Sequence, residues 1–177
     1  MKKTTTKRLC RAGIITALYV ALTYAFMPFA YGPLQIRPAE ALCILPLFFV
    51  EAVPALWVGC MLSNLGSPFF LYDVLIGSLT TLFAALNTYM VGTFFKKDGI
   101  RIALGGVFPV LFNAFIIPLI IVFLCGTDGE YSSRAVAYWA YAGSIFLTEG
   151  IWIYALGSPL YFALKNLRRQ YARFLMD

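Results

Sequence analysis

Long apolar runs constrain this chain more than any other feature. Ala12 to Phe29 carries no charge, Ala39 to Leu65 only Glu40 and Glu51, Asp73 to Phe95 only its first residue, Ile102 to Leu124 none, and Trp139 to Leu164 only Glu149. About 20 apolar residues in a helix span a bilayer, and several of these runs approach or exceed that length. The chain is 61% hydrophobic and 12% charged, where an average soluble domain is roughly half apolar and a quarter charged. We read residues 1–177 as one integral membrane domain of the all-α class. A β-barrel would alternate apolar and polar residues, and Val107-Phe108-Pro109-Val110-Leu111-Phe112 does not.

The net charge of +6 is gathered into clusters. Lys2, Lys3, Lys7, Arg8 and Arg11 stand at the N-terminus, Lys96, Lys97 and Arg101 in the middle, and Lys165, Arg168, Arg169 and Arg173 at the C-terminus. A nucleic-acid protein would carry such charge on a soluble fold, and none is visible. The clusters instead mark the cytoplasmic side under the positive-inside rule. Ala12 to Phe29 is longer than the apolar region of a signal peptide, about 7–15 residues, so it reads as a retained first helix. Ala39 to Leu65 is too long for one span. Pro54 biases the residue before it away from helix, so a turn is expected near Glu51–Pro54. Splitting there puts Lys96 and Lys97 inside. The predicted helices are Arg11–Phe29, Ala39–Val50, Ala55–Leu65, Asp73–Phe95, Ile102–Leu124 and Trp139–Leu164. That makes six transmembrane helices in a multi-pass plasma-membrane protein, with both termini cytoplasmic as basic tails of about 1–10 and 165–177. The second helix would be only about 18 Å long, short of the roughly 30 Å hydrocarbon core. It is therefore expected to be tilted or shielded by protein.

The chain has no histidine, and Cys10, Cys43, Cys60 and Cys125 lack metal or redox spacing. No metal site is expected. Cys43 and Cys60 read as packing residues. The usual general base is missing, as is a glycine-rich phosphate loop, so neither catalysis nor a bound cofactor is expected of this chain. Ionisable residues within membrane segments mark substrate paths by default. Arg37 and Glu40, at helical spacing in Gln35-Ile36-Arg37-Pro38-Ala39-Glu40, qualify, although they could also pair with each other. On the predicted topology Asn64 and Asp73 join them near the outer surface. Glu149, about 15 Å into the last helix, and Asn113 at similar depth face the same region, with Trp152 one turn from Glu149. Such carboxylates, amides and aromatics suit a flat ligand with N–H donors or a cation. Asp73 could equally be a helix N-cap, and Asn113 a bond between helices. Tyr138, Trp139 and Tyr141 read as an interface belt, Asn87 as structural, and Glu51 as solvated in a cytoplasmic turn. Gly13, Ala17, Ala21 and Ala25 recur every four residues on one ridge. Small ridges let helices approach closely in lipid, either within this chain or with a partner.

Several segments, in order, resemble one family. These are Gln35 to Leu42 with Leu45-Pro46, Gly59-Cys60 and Asn64; Asp73 with Gly77-Ser78-Leu79-Thr80-Thr81-Leu82; Asn113-Ala114; and Glu149 with Leu156-Gly157-Ser158-Pro159-Leu160-Tyr161. The chain is similar to the QueT family of substrate-binding (S) components of energy-coupling factor (ECF) transporters. It departs from the pattern at Thr148 and Pro118. The resemblance implies a six-helix S-component fold and a substrate site near the outer face. It implies a transmembrane T component and two cytoplasmic ATPase subunits as partners, with ATP used by those subunits. The T component would dock on the small residues of the first helix, here Ala17 and Ala21 extended by Gly13 and Ala25. The implied substrates are queuosine precursors, namely 7-deazaguanine bases such as preQ0 and preQ1, or queuine. Glu149 and Glu40 would accept from the ligand, Asn113 and Asn64 would complete its hydrogen bonds, and Arg37 would orient Glu40 or cap a carbonyl. An S component for another vitamin-like molecule, a membrane scaffold and a membrane enzyme are the competing readings.

Overall fold

The computed structural model describes residues 2–31, 35–126 and 131–174, with side chains at 5–31, 35–126 and 131–170. Gly32 and Pro33 of the first loop, and Asp128 and Glu130 of the loop before the last helix, lie outside the described residues. All regular structure among the described residues is helical. The helices are α1 (Lys2–Ala25), α2 (Pro38–Leu47), α3 (Ala52–Gly66), α4 (Phe70–Phe94), α5 (Asp98–Leu124) and α6 (134–174). Of these, α4 and α5 are each long and apolar enough to cross a membrane.

The predicted boundaries shift for local reasons. The basic N-terminal residues are helical from Lys2, so the first helix begins well before Arg11. It ends at Ala25, and Met27–Ala30 forms a separate turn of helix. Pro54 falls inside the first turn of α3, where a proline's missing N–H costs nothing because those donors have no partner in the helix. The break therefore precedes Ala52. The last helix runs from 134 to 174, longer than predicted at both ends. Glu51 is not solvated: it pairs with Arg11 at 2.5 Å, its side chain only 10% exposed. The Arg11 guanidinium also sits 4.2 Å from the centre of the Phe49 ring.

The second predicted helix is a 3-10 helix rather than an α-helix. Such runs seldom exceed three or four residues, and this one has ten. Pro46 supplies part of the reason, because its ring clashes with the carbonyl that an α-helix would place four residues back. At about 2.0 Å per residue, α2 is roughly 20 Å long, and every one of its residues is buried. It is the central post of the molecule. Glycines on three helices let their backbones close around it. A Cβ on Gly92 of α4 would lie 2.8 Å from the Leu47 backbone, and one on Gly157 of α6 would lie 3.2 Å from the Ala41 carbonyl oxygen. One on Gly105 of α5 would lie 2.9 Å from the Leu47 side chain. Ile15 and Tyr19 of α1, Leu42 and Leu45 of α2 and Leu56 of α3 form one core cluster. Ile117 and Ile121 of α5 pack with Tyr141 and Ile145 of α6 in another.

Wider helical turns interrupt α4 at Asp73–Gly77, end α5 at Ile120–Leu124, and interrupt α6 at Trp152–Leu156. These π-segments rotate the side chains that follow them and occur often at functional sites.

Candidate functional site

Two π-segments adjoin a buried polar cluster at the centre of the bundle. Asp73 opens the first, and Glu149 lies in the turn before the second. Glu149 is 1% exposed, Glu40 2%, Asn64 1%, Asp73 4%, Arg37 5% and Asn113 7%. Five helices, or the segments leading into them, supply these six residues. Arg37 lies within electrostatic reach of Glu40 and Asp73, and Glu149 within reach of Glu40 and Arg37.

The connections within the cluster are specific. Asn113 Nδ2 donates to Glu149 Oε1 at 2.9 Å, joining α5 to α6. Asn64 Nδ2 donates to the Asp73 backbone carbonyl at 2.8 Å, joining α3 to α4. Ser67 Oγ donates to Asp73 Oδ2 at 2.5 Å. Asp73 is no N-cap, since its helix begins at Phe70. Glu40 accepts on both oxygens, from Tyr19 Oη at 2.5 Å and from Cys43 Sγ at 3.1 Å.

Arg37 and Glu40 do not pair: among the described residues no ion pair joins them. Arg37 Nε caps the Ala30 carbonyl at 2.7 Å, and the guanidinium lies 5.0 Å from the centre of the Tyr31 ring. Tyr31 in turn donates to the Ser63 carbonyl at 2.5 Å. The arginine thus ties the entry into α2 to the segment after α1.

Two acceptors in the cluster, Glu149 Oε2 and Asn64 Oδ1, are buried without a hydrogen-bond partner. Buried polar atoms are paired in the great majority of cases, and each exception asks for an explanation. An unpaired carboxylate oxygen is among the costliest to leave so. Both atoms call for a donor.

Not every predicted residue belongs to this cluster. Trp152 is half-buried and opens the second π-segment. Among the described contacts its ring makes neither a hydrogen bond nor a ring contact with the cluster. Tyr138 donates to the Phe115 carbonyl at 3.1 Å, and Trp139 is 64% exposed. Tyr141 is buried in the α5–α6 core and meets Tyr131 edge-on at 5.6 Å, so it does not belong to an exposed belt.

Four residues of the cluster escaped the sequence reading: Tyr19, Cys43, Cys60 and Ser67. The two cysteines are polar partners rather than packing alone, because Cys60 Sγ accepts from Thr81 Oγ1 at 3.2 Å and Asn64 Nδ2 at 3.4 Å. Cys43 and Cys60 stand three residues after Glu40 and four before Asn64, spacings that put them on the same helix face. Tyr19 sits two residues from both Ala17 and Ala21, hence on the far side of α1 from the small ridge.

That ridge faces outward. Gly13, Ala17, Ala21 and Ala25 are all exposed. Gly13, Ala17 and Ala21 line a groove of about 800 Å³ whose other wall is Pro54, Ala55, Val58 and Leu62 of α3. No helix of the described chain covers it.

A family model described as QueT transporter matches residues 9–166. The Queuosine precursor transporter QueT of Lactococcus lactis subsp. cremoris (strain MG1363) is 38% identical over 101 residues, covering 55% of this chain and 59% of the relative. The chain therefore aligns with somewhat under two thirds of that relative's length. No solved structure matches the chain.

Proposed function

The chain belongs to the QueT transporter family, and from that premise we infer that it is the substrate-capture subunit of an ECF-type importer for queuosine precursors. The observation that carries this reading is the buried pair of unpartnered acceptors, Glu149 Oε2 and Asn64 Oδ1. A guanine-like edge presents neighbouring N–H donors, and a carboxylate accepts such donors strongly. Asn113 holds the other Glu149 oxygen and so turns Oε2 toward the ligand. Both Glu40 oxygens are engaged within the chain. In this reading Glu40 contributes negative charge and orientation, and Glu149 is the carboxylate that meets the precursor. Asp73 and Arg37 shape the site from the α4 and α2 sides. Trp152, half-buried one turn after Glu149, would supply an aromatic face for the ligand ring.

The same reading assigns six transmembrane spans with cytoplasmic termini. The polar cluster then lies toward the outer side of the membrane in the free subunit. The α1 ridge is the docking face for the T component, and ATP hydrolysis by two cytoplasmic ATPase subunits drives reorientation of the site. The chain performs no chemistry of its own.

The test is calorimetry on the purified protein in detergent with a deazaguanine precursor and with queuine, beside Glu149→Gln. The expected result is binding by the parent chain and a loss of about tenfold or more in the variant, the range for one charge-assisted hydrogen bond. Full affinity in Glu149→Gln would move the site away from this carboxylate. Absence of binding by folded parent protein would reject the precursor as substrate.

A further inference from the structure

Sixteen residues beyond Glu149, about 24 Å along α6, Lys165 belongs to a second polar site. A pocket of about 290 Å³ is lined by Phe48, Arg101, Tyr161, Lys165, Arg168 and Arg169. Four of the six are cations; Asp98 neutralises one of them, Lys165, and leaves the three arginines. Asp98 accepts from the Tyr161 hydroxyl at 2.8 Å and pairs with Lys165. Glu51 pairs with Arg11. Among the described residues no carboxylate pairs with Arg101, Arg168 or Arg169.

Arg101 is held in place rather than left to trail into solvent. Its Nη2 donates to the Leu47 carbonyl. Its guanidinium stands 5.5 Å from the centre of the Phe48 ring and 5.7 Å from that of Tyr161. Its Nε is buried and has no acceptor. Arg168 lies over Phe48 and Phe49, at 5.8 and 5.4 Å from the ring centres. Guanidinium groups fixed on aromatic faces, with donors unmet, suit an anion rich in oxygen acceptors, and phosphate matches the arginine fork in a bidentate way. Lysines and arginines that only anchor a helix end extend into water; here Arg101 and Lys165 are half-buried where α5, α6 and the end of α2 meet, and Arg168 is laid over Phe48 and Phe49. Exposed apolar side chains lie one helical turn from the cations, Leu104 from Arg101 and Phe162 from Lys165. A ligand with a phosphate head and apolar tails meets both features.

We propose that this pocket binds the phosphodiester headgroup of an anionic phospholipid. Basic pockets between membrane helices take such headgroups, each cation near the surface adding about 1 kcal/mol of attraction. The proposal rests on the membrane embedding inferred above but not on the precursor, and its test is read without precursor, so the two can fail separately.

The experiment is native mass spectrometry of the full chain released from detergent with phosphatidylglycerol or phosphatidylcholine. The variants are Arg101→Gln, the pair Arg168→Gln with Arg169→Gln, and the control pair Lys96→Gln with Lys97→Gln. The control removes two exposed charges outside the pocket. Arg168 and Arg169 are exposed, so their pair tests the pocket even if Arg101→Gln weakens the fold. The parent chain is expected to retain phosphatidylglycerol over phosphatidylcholine. The pocket pair should lower that preference about thirtyfold, as loss of two such charges predicts, and the control should keep it. A preference unchanged in the pocket pair, or lowered equally in the control, overturns the site. Displacement of the lipid by inorganic phosphate alone would overturn the lipid as the source of the phosphate group.

Discussion

Both oxygens of Glu40 are taken up inside the protein, and one of the two donors comes from α1. Tyr19, fully buried, reaches across to Glu40 Oε1 at 2.5 Å, while Ala17 and Ala21 of the same helix lie exposed on its other side. Removing the hydroxyl leaves a buried carboxylate oxygen without its donor, a cost of about 1–3 kcal/mol. Tyr19→Phe is therefore expected to lower the melting temperature by several degrees, at about 2–4 °C per kcal/mol for a chain of this size, and to weaken precursor binding through Glu40. A thermal-shift assay with and without precursor checks both; unchanged melting would show that the bond adds nothing. The carboxylates themselves were legible in the sequence, because a charge in an apolar run is costly wherever it sits. Their partners were not. Tyrosine, cysteine and serine are unremarkable in such runs, and only the approach of α1 to α2 makes Tyr19 a donor to Glu40. Likewise Arg37 and Glu40, three apart in sequence, could have paired, but the extended backbone at Arg37 directs its side chain to Ala30 instead.

The small-residue ridge of α1 is a property of an element, since no single one of its residues carries it. Its exposed groove, shared with α3, gives close approach to another helix. Ala17→Trp and Ala21→Trp are each expected to abolish precursor uptake in cells and co-purification with a T component, while calorimetric precursor binding stays within about twofold, because the bulk is added on the face away from Tyr19. Loss of binding together with uptake would place the ridge inside the folded core and remove the docking reading. The helical periodicity announced the ridge, but its orientation came from the packing of Ile15 and Tyr19 against α3. The second helix shows the opposite balance. Its shortness was readable from the Glu51–Pro54 break. Its ten-residue 3-10 winding was not, because Pro46 is only part of the reason and the helices packed around it at Gly92, Gly105 and Gly157 are distant in sequence. α2 is buried along its whole length, which is what the six-span reading requires of backbone without the full α-helical bonding pattern.

At the scale of the molecule, the charge clusters and the helix order together predict the topology. With Cys10 and Cys125 replaced by serine, Thr5→Cys and Asn166→Cys are expected to react with a membrane-impermeant maleimide only after cell lysis, and Ser132→Cys in intact cells. All three positions are exposed. Labelling of Thr5→Cys in intact cells would invert the assignment and with it the placement of the polar cluster toward the outer side. By itself the sequence determined the all-helical class, the short second helix and the set of polar residues within apolar runs. Hydrophobic run length, proline and isolated charge act locally, and each leaves its mark on the residues that bear it. Only the tertiary structure decided which of those residues meet, which oxygens are left without donors, and that Arg101, Arg168 and Arg169 enclose one pocket. Those outcomes depend on contacts between segments more than a hundred residues apart, such as Gly157 against Ala41 and Arg168 over Phe48, set by how closely glycine and alanine let the helices approach.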